Sequence, residues 1–355
     1  MTGPAGRPND TLPGLAGPRV EKAVSLALQG GGAHGAFTWG VLDAILEDGR
    51  LAIEAISGAS AGSVNAVVLA EGWLEDGADG ARRQLGQFWR RISLDGALSP
   101  GQQQLLGLLM GYWHADGSPA RAWLDAWAAS FGPAERNPLD INPLRDALTE
   151  LIDFERVRAC QGVKLFVSAT SVWTGKAKIF HGHELTADHV LASACLPTVF
   201  PAVMIGGEPY WDGGYAGNPP LFPLLYEAAT DDMLLVQINP IERRVTPRTA
   251  REIQDRLTEI TFNANLLGEL RAIEFVGRLI DAGKLSTDRY KQVRMHRIAG
   301  GDKLDALAAS SRLNAEWTFL LQLRDFGRAA AKDWLATSYE AIGVRGTLDL
   351  RAAYV

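Results

Sequence analysis

Apolar residues open the chain's first recognisable element as a short continuous run, "VSLALQ" (24–29), of the kind that makes a strand buried on both faces. The next stretch, "AFTWGVLDAILEDG" (36–49), changes period. Phe37, Val41, Leu42, Ile45 and Leu46 recur at helical spacing, and Gly49 is placed to cap the end. "IEAISG" (53–58) returns to strand and "SVNAVVLAEGWL" (63–74) reads as a buried helix. A β-loop-α-β-turn-α opening predicts a parallel sheet. Residues 75–150 read as mostly helical, including "QQQLLGLLMGYW" (102–113) and "ARAWLDAWAASF" (120–131). "VKLFVSATSV" (163–172) predicts a central strand, "AKIFHG" (177–182) another, and "MLLVQINP" (233–240) a third that Pro240 stops. Beyond about residue 245 helical spacing dominates again (251–283 and 314–343), with a strand-like "KQVRMHRI" (291–298) between. No internal repeat is found. Residues 1–22, rich in Gly, Pro and Arg and lacking an apolar core, read as a disordered leader and not as a secretory signal.

Composition narrows the classes. The 355 residues are 47% hydrophobic and 21% charged, ordinary for a globular protein with room for one large α/β domain or two smaller ones. A formal charge of −6 gives no electrostatic case for nucleic acid or anionic lipid, although it leaves membrane contact through apolar surface open. Ten Trp is a high count; core burial is the commoner use, interfacial contact the other. Cys160 and Cys195 have neither metal-site nor disulfide spacing and read as small buried hydrophobes. No stretch approaches the roughly 18 apolar residues of a membrane span. A reduced, cytoplasmic protein is expected.

Two glycine-rich turns carry the candidate chemistry. Gly30, Gly32 and Gly35 fit G-x-G-x-x-G, which cradles a dinucleotide pyrophosphate, but the same free N–H groups can hold an acyl-transfer oxyanion. The second turn discriminates. Gly58-Ala59-Ser60-Ala61-Gly62 is G-x-S-x-G between a strand and a helix, the setting of a nucleophile elbow. A dinucleotide site requires an acidic residue at the end of the second strand. Here that strand ends in Ser57-Gly58-Ala59-Ser60, with Glu54 at its beginning, so the loop reads as an oxyanion hole. Of proton acceptors for Ser60, His296 alone follows the later acidic candidates, inside a charged strand-like segment. An oxyanion loop one helix before the elbow is also unlike a standard His-containing hydrolase. The other candidate, Asp212-Gly213-Gly214 in "YWDGGYAGNPP" (210–220), places a carboxylate in a loop; alone it would be an ordinary Asp-Gly turn.

Taken in order, Gly30-Gly31-Gly32-Ala33-His34-Gly35, Gly58-Ala59-Ser60-Ala61-Gly62 and Asp212-Gly213-Gly214 resemble the patatin-like phospholipases. "ASACLPTVFPAV" (192–203), with Ser193, Ala194, Pro197, Phe200 and Pro201, and Asn218-Pro219 match further blocks. The resemblance, which covers about residues 24–240, implies a three-layer α/β/α fold with a mostly parallel central sheet over residues 23–240; the mainly helical C-terminal extension (241–355) read from the helical spacing lies outside it. It implies a Ser60–Asp212 dyad, an oxyanion hole at Gly30, Gly31, Gly32 and Ala33, and supporting roles for His34, Gly35, Gly58, Gly62, Gly213 and Gly214. The implied activity is hydrolysis of lipid carboxylic esters, with lipid as the partner and no cofactor or metal. Other acyl substrates (an esterase, thioesterase or acyltransferase) and a binding protein on the same fold are the rival readings. His114, His181, His183 and His189 do not form a metal set, and His181-Gly182-His183 reads as polar surface. The family loop commonly has Lys or Arg where His34 stands, which leaves any preference for an anionic headgroup open. Residues 102–131 read either as part of an acyl-chain entrance or as packing on the sheet. Headgroup, acyl length and oligomeric state are not legible.

Overall fold

The computed structural model describes residues 14–16, 20–94, 142–307, 311–312 and 314–354. Its centre is a mixed, mostly parallel sheet. The glycine loop and the elbow follow β1 (Lys22–Leu28) and β2 (Leu51–Ala59), which pair in parallel and are separated by helix α1 (Gly35–Asp48). Helix α2 (Ala61–Ile92) starts one residue after β2 and bends at Asp76–Gly77. After α3 (Pro143–Leu151) and α4 (Phe154–Ala159) comes β3 (Lys164–Ser171), parallel to β2. β4 (Ala177–His181), α5 (Ala187–Ser193), β5 (Val203–Ile205), β6 (Glu208–Asp212), α6 (Phe222–Glu227) and β7 (Asp232–Gln237) follow. The sheet order is β5-β6-β3-β2-β1-β7-β8, where β8 is Arg294–Ala299 and β4 pairs with β3.

Alternation along the strands separates two cores, as the two-residue period of a strand requires. Leu26, Leu28, Leu234 and Val236 pack to one side, in a cluster that includes residues of α1 and α2. Ala27, Met233 and Leu235 pack to the other, against Leu224 of α6 and Leu266, Leu270 and Ile273 of α7 (Ala250–Asp281). The architecture is a three-layer α/β/α sandwich.

Residues after 240 contribute helices to this sandwich and also a strand. β8 continues the parallel sheet beside β7, and α7 covers one face. Helix α9 (Trp317–Ser338), reached after the short α8 (Asp302–Asp305), lies along α1. That approach is close because Gly40 and Gly327 meet the facing helix backbone at Arg324 and Phe37 respectively. The short helix α10 (Leu350–Tyr354) ends the described chain. The aromatic and leucine-rich segment 102–131 lies outside the described residues.

Register explains why two residues far apart in sequence meet. β2 and β4 occupy opposite edges of β3. β2 ends with Ala59 opposite Ser168, and on that same edge β6 takes over, with Asp212 opposite Ala169. Asp212 therefore stands in the place where β2 has just turned away into Ser60. The sequence reading put Asp212 in a loop. It is the last residue of a strand, one too short, and too interrupted by Pro209, to show an alternating pattern.

Candidate active site

Ser60 sits between β2 and α2 with φ +53° and ψ −125°, the only positive φ of a non-glycine residue among those described. Such a conformation is disfavoured for a residue with a Cβ and persists only where the surroundings over-determine it. Here they do. A Cβ at Gly62 would overlap the Leu28 carbonyl, and one at Gly58 would come within 2.6 Å of the Gly62 and Ser63 backbone. The Ser60 N–H donates to Ser193 Oγ at 3.0 Å, and Ser193 shares a 2.8 Å hydrogen bond with Ser63 Oγ. The N-terminal end of α2, with its partial positive charge, lies directly behind the serine. Ser60 itself retains 7% exposure.

Asp212 is completely buried. Its N–H donates to the Cys195 carbonyl at 2.8 Å, and its own carbonyl accepts from Thr170 Oγ1 at 2.8 Å. One carboxylate oxygen, Oδ1, accepts from the Gly214 N–H at 2.7 Å. The other, Oδ2, is buried with no partner in hydrogen-bonding geometry among the described residues, and the Ser60 hydroxyl is the side-chain donor that acts on the carboxylate. Burial pushes this carboxyl up to about 7, against the opposing pull of Ser60 and the Gly214 amide. Gly213 packs on Ser168, whose hydroxyl joins the Gly58 and Gly217 carbonyls at 3.2 and 3.3 Å and so ties the Asp loop to the elbow.

The glycine loop lies alongside. A Cβ on Gly30 would stand 2.6 Å from Ser60 Cβ. The Gly30 N–H is already given to Asn218 Oδ1 at 2.6 Å, which removes it from the set of donors expected for an oxyanion. Among the described residues no acceptor is found for the N–H groups of Gly31, Gly32 and Ala33. Gly32 has φ +58°, and a Cβ there would run into the carbonyl of Arg312. Both requirements point to glycine.

His34 does not face solvent. It is 4% exposed, bonds through Nε2 to Ser311 Oγ at 2.8 Å and packs near the Phe319 ring. Burial, then the charges of Arg312 and Arg243, bring its pKa down to about 3, so the ring is neutral and is no cation for a headgroup. His296 is fully buried on β8, between Asp232 Oδ1 and Thr347 Oγ1 at 3.0 Å each. Asp232 begins β7, four residues before Val236, while Val236 and Gly58 are both level with Leu28. At roughly 3.3 Å per residue that places the pair some 13 Å down the sheet from the elbow. Glu54 is likewise spent at the far end, accepting the N–H groups of Ala229 and Thr230.

Sequence reasoning missed Gln29, Asn239 and Asn263, which with Asn218 form a buried amide network under the glycine loop. Polar residues closing the apolar strands "LALQ" and "LLVQIN" were the available signal. Cys195 is buried, its thiol donating to the Pro201 carbonyl at 3.0 Å, and Cys160 is half-buried; both are free. Among the described residues no group of three or more His, Cys, Asp or Glu is arranged to hold a metal, and no helix is long and apolar enough to cross a membrane.

A strained serine at a strand-to-helix turn, a buried carboxylate and a donor-rich loop are thus brought together at one end of the sheet. The family described as patatin-like phospholipase matches residues 26–225, more than half of the chain, and the protein belongs to that family. No match was found among curated proteins. Solved structures to which the chain is similar include VipD from Legionella pneumophila, at 16% identity and a TM-score of 0.35, covering 86% of this chain and 67% of that one. Full-length ExoU of the Pseudomonas aeruginosa type III secretion system, solved in complex with SpcU, matches at 16% identity and a TM-score of 0.30, covering 94% of this chain and 60% of that one.

Proposed function

We propose that this chain is a serine acyl hydrolase that cleaves lipid carboxylic esters with Ser60 as nucleophile and Asp212 as base. The observation that carries the reading is the fully buried Asp212 carboxylate, on which the hydroxyl of a serine held at positive φ acts as donor. Ser60 Oγ attacks the ester carbonyl carbon while its proton passes to Asp212, and the oxyanion is held by the N–H groups of Gly31, Gly32 and Ala33. As the tetrahedral centre collapses, the C–O bond to the alcohol breaks and the alcohol leaves with the proton from Asp212. Water then attacks the acyl-Ser60 ester, giving its proton to the same carboxylate. Release of the fatty acid returns that proton to Ser60.

A carboxyl brought to about 7 is better matched to this exchange than an ordinary one, because a base works best near the operating pH. Lipid met at a membrane surface by peripheral contact is part of the proposal. A non-phospholipid ester or thioester is the second reading, supported by the neutral His34 where the family loop commonly carries a cation. Ser60→Ala should abolish both fluorophosphonate labelling and hydrolysis across a panel of phospholipids and short esters, with the fold intact. Labelling that persists in this variant would remove Ser60 as nucleophile. Products identified by mass spectrometry from the panel decide between the two substrate classes.

A further inference from the structure

We infer that Asn239, seated by Gln29, is the positioning residue that aims an oxyanion donor, the Gly31 N–H, at the reacting carbonyl; this rests on the proposed hydrolase reading. The Gly30–Gly31 peptide is trans, so the Gly30 carbonyl and the Gly31 N–H lie in one plane and point in opposite directions. Whatever fixes the carbonyl fixes the donor. Two amides do so: Asn239 Nδ2 donates to the Gly30 oxygen at 2.8 Å and Asn218 Nδ2 does so at 3.3 Å. The Gly30 carbonyl is thereby drawn into the protein, and the Gly31 N–H is turned to the opposite side, where no protein acceptor is found among the described residues.

The amides are themselves oriented. Gln29 is fully buried, and its Oε1 accepts from the backbone N–H groups of Ile238 and Asn239 at 2.8 Å each and from Asn239 Nδ2 at 3.3 Å. Its Nε2 donates to the Asn218 carbonyl at 3.2 Å and to Asn263 Oδ1 at 3.1 Å, and Asn263 in turn donates to the Pro240 carbonyl at 3.0 Å. The network spans the end of β1, the end of β7, the Asn218 turn and α7. Asn239 is buried, and among the described residues its Oδ1 has no hydrogen-bond partner; it lies 3.8 Å from where a Gly31 Cβ would stand. Turning the amide over would satisfy nothing, because Nδ2 already meets two acceptors, Gly30 O and Gln29 Oε1. A fold that leaves a buried acceptor empty to keep a donor on one carbonyl marks that carbonyl as the one that matters.

The test uses the full chain and Asn239→Asp, which keeps the shape and removes the donor, with Asn239→Ala as a second variant. Removing an oxyanion donor lowers turnover about 10²–10³-fold, so a misaimed one should lose about 10- to 100-fold. A fluorophosphonate probe gives two separate readings, the second-order rate of labelling and the fraction of chain labelled at completion. Positioning predicts a rate down about 10- to 100-fold in both variants, complete labelling at the end point, and a fall in kcat for nitrophenyl butyrate with KM within about twofold. A reduced end point with the wild-type rate in the labelled fraction would show a role in folding alone and overturn the inference. So would a wild-type rate in both variants. If the wild type itself is not labelled at Ser60, it is the hydrolase reading that fails.

Discussion

Replacing Asp212 by asparagine should stop hydrolysis and yet make the protein harder to unfold at alkaline pH. The carboxyl titrates near 7 in the fold against an ordinary value of 3.8, chiefly because it is buried. A carboxyl whose folded pKa lies above its unfolded one stabilises the fold fully below the unfolded value, and that stability is lost as pH rises through the folded value. At 1.36 kcal/mol per pH unit, a difference of about 3 units corresponds to about 4 kcal/mol lost between pH 4 and pH 8. The amide side chain of the variant would keep the Gly214 contact through its oxygen and carry no charge to desolvate. Urea unfolding of the wild type and Asp212→Asn from pH 4.5 to 8.5 isolates this group, since the other titrations are common to both proteins. The variant should gain on the wild type steadily up to about pH 7, where the gain levels off. A stability difference that does not change with pH, or that favours the wild type at pH 8, would refute the raised pKa. The same titration should appear in wild-type kcat/KM for a neutral ester, rising with pH and levelling above about 7.

His34→Ala should leave that pH profile unmoved, because a ring with a pKa near 3 is neutral throughout the working range; it should lower the thermal midpoint instead. A displaced profile, measured on the same ester, would restore a direct role for the imidazole. Gly32→Val should cost on the order of 1–2 kcal/mol for the left-handed backbone alone and lose nearly all activity, read by denaturant titration and turnover. His296→Ala should keep wild-type turnover per folded molecule while losing about 1–3 kcal/mol of stability. In the wild type, hydrogen bonds from His296 and Arg294 outweigh the burial of Asp232 and hold its carboxyl down to about 2. That stability is present above about 4 and is lost as pH falls through 2, so the variant's acid transition should move to higher pH. A loss of turnover without a loss of stability would instead place His296 in the chemistry.

The elements that frame the serine were legible because they are local: an apolar run, a glycine-flanked turn and a helical period succeed one another within a few dozen residues of the start of β1. The pairing of Ser60 with Asp212 was not readable from spacing. It depends on β6 occupying the β3 edge that β2 vacates, a register that only the assembled sheet defines. The state of His34 was illegible for the same reason, since its burial and its neutral ring are produced by Ser311, Arg312 and Phe319, contributed from the far end of the chain. Helical spacing announced α7 and α9 but not their destination. The strand-like run "KQVRMHRI" (291–298) did not show that it would pair with β7.

That last pairing separates the unit of ancestry from the unit of folding. The family match ends at residue 225, yet β7 is the second-last strand of a continuous sheet whose closing strand, β8, arrives almost sixty residues later. A chain cut near residue 245 would bare the hydrogen-bonding edge of β7, strip α1 of the helix packed along it, and leave Met233 and Leu235 without α7. Such a fragment has the sticky edge on which strands of separate molecules join. Expression trials that trim the protein to its recognisable homology should therefore yield aggregate, and a protease or an engineer that clips the tail would switch the enzyme off without touching a residue of the catalytic motifs.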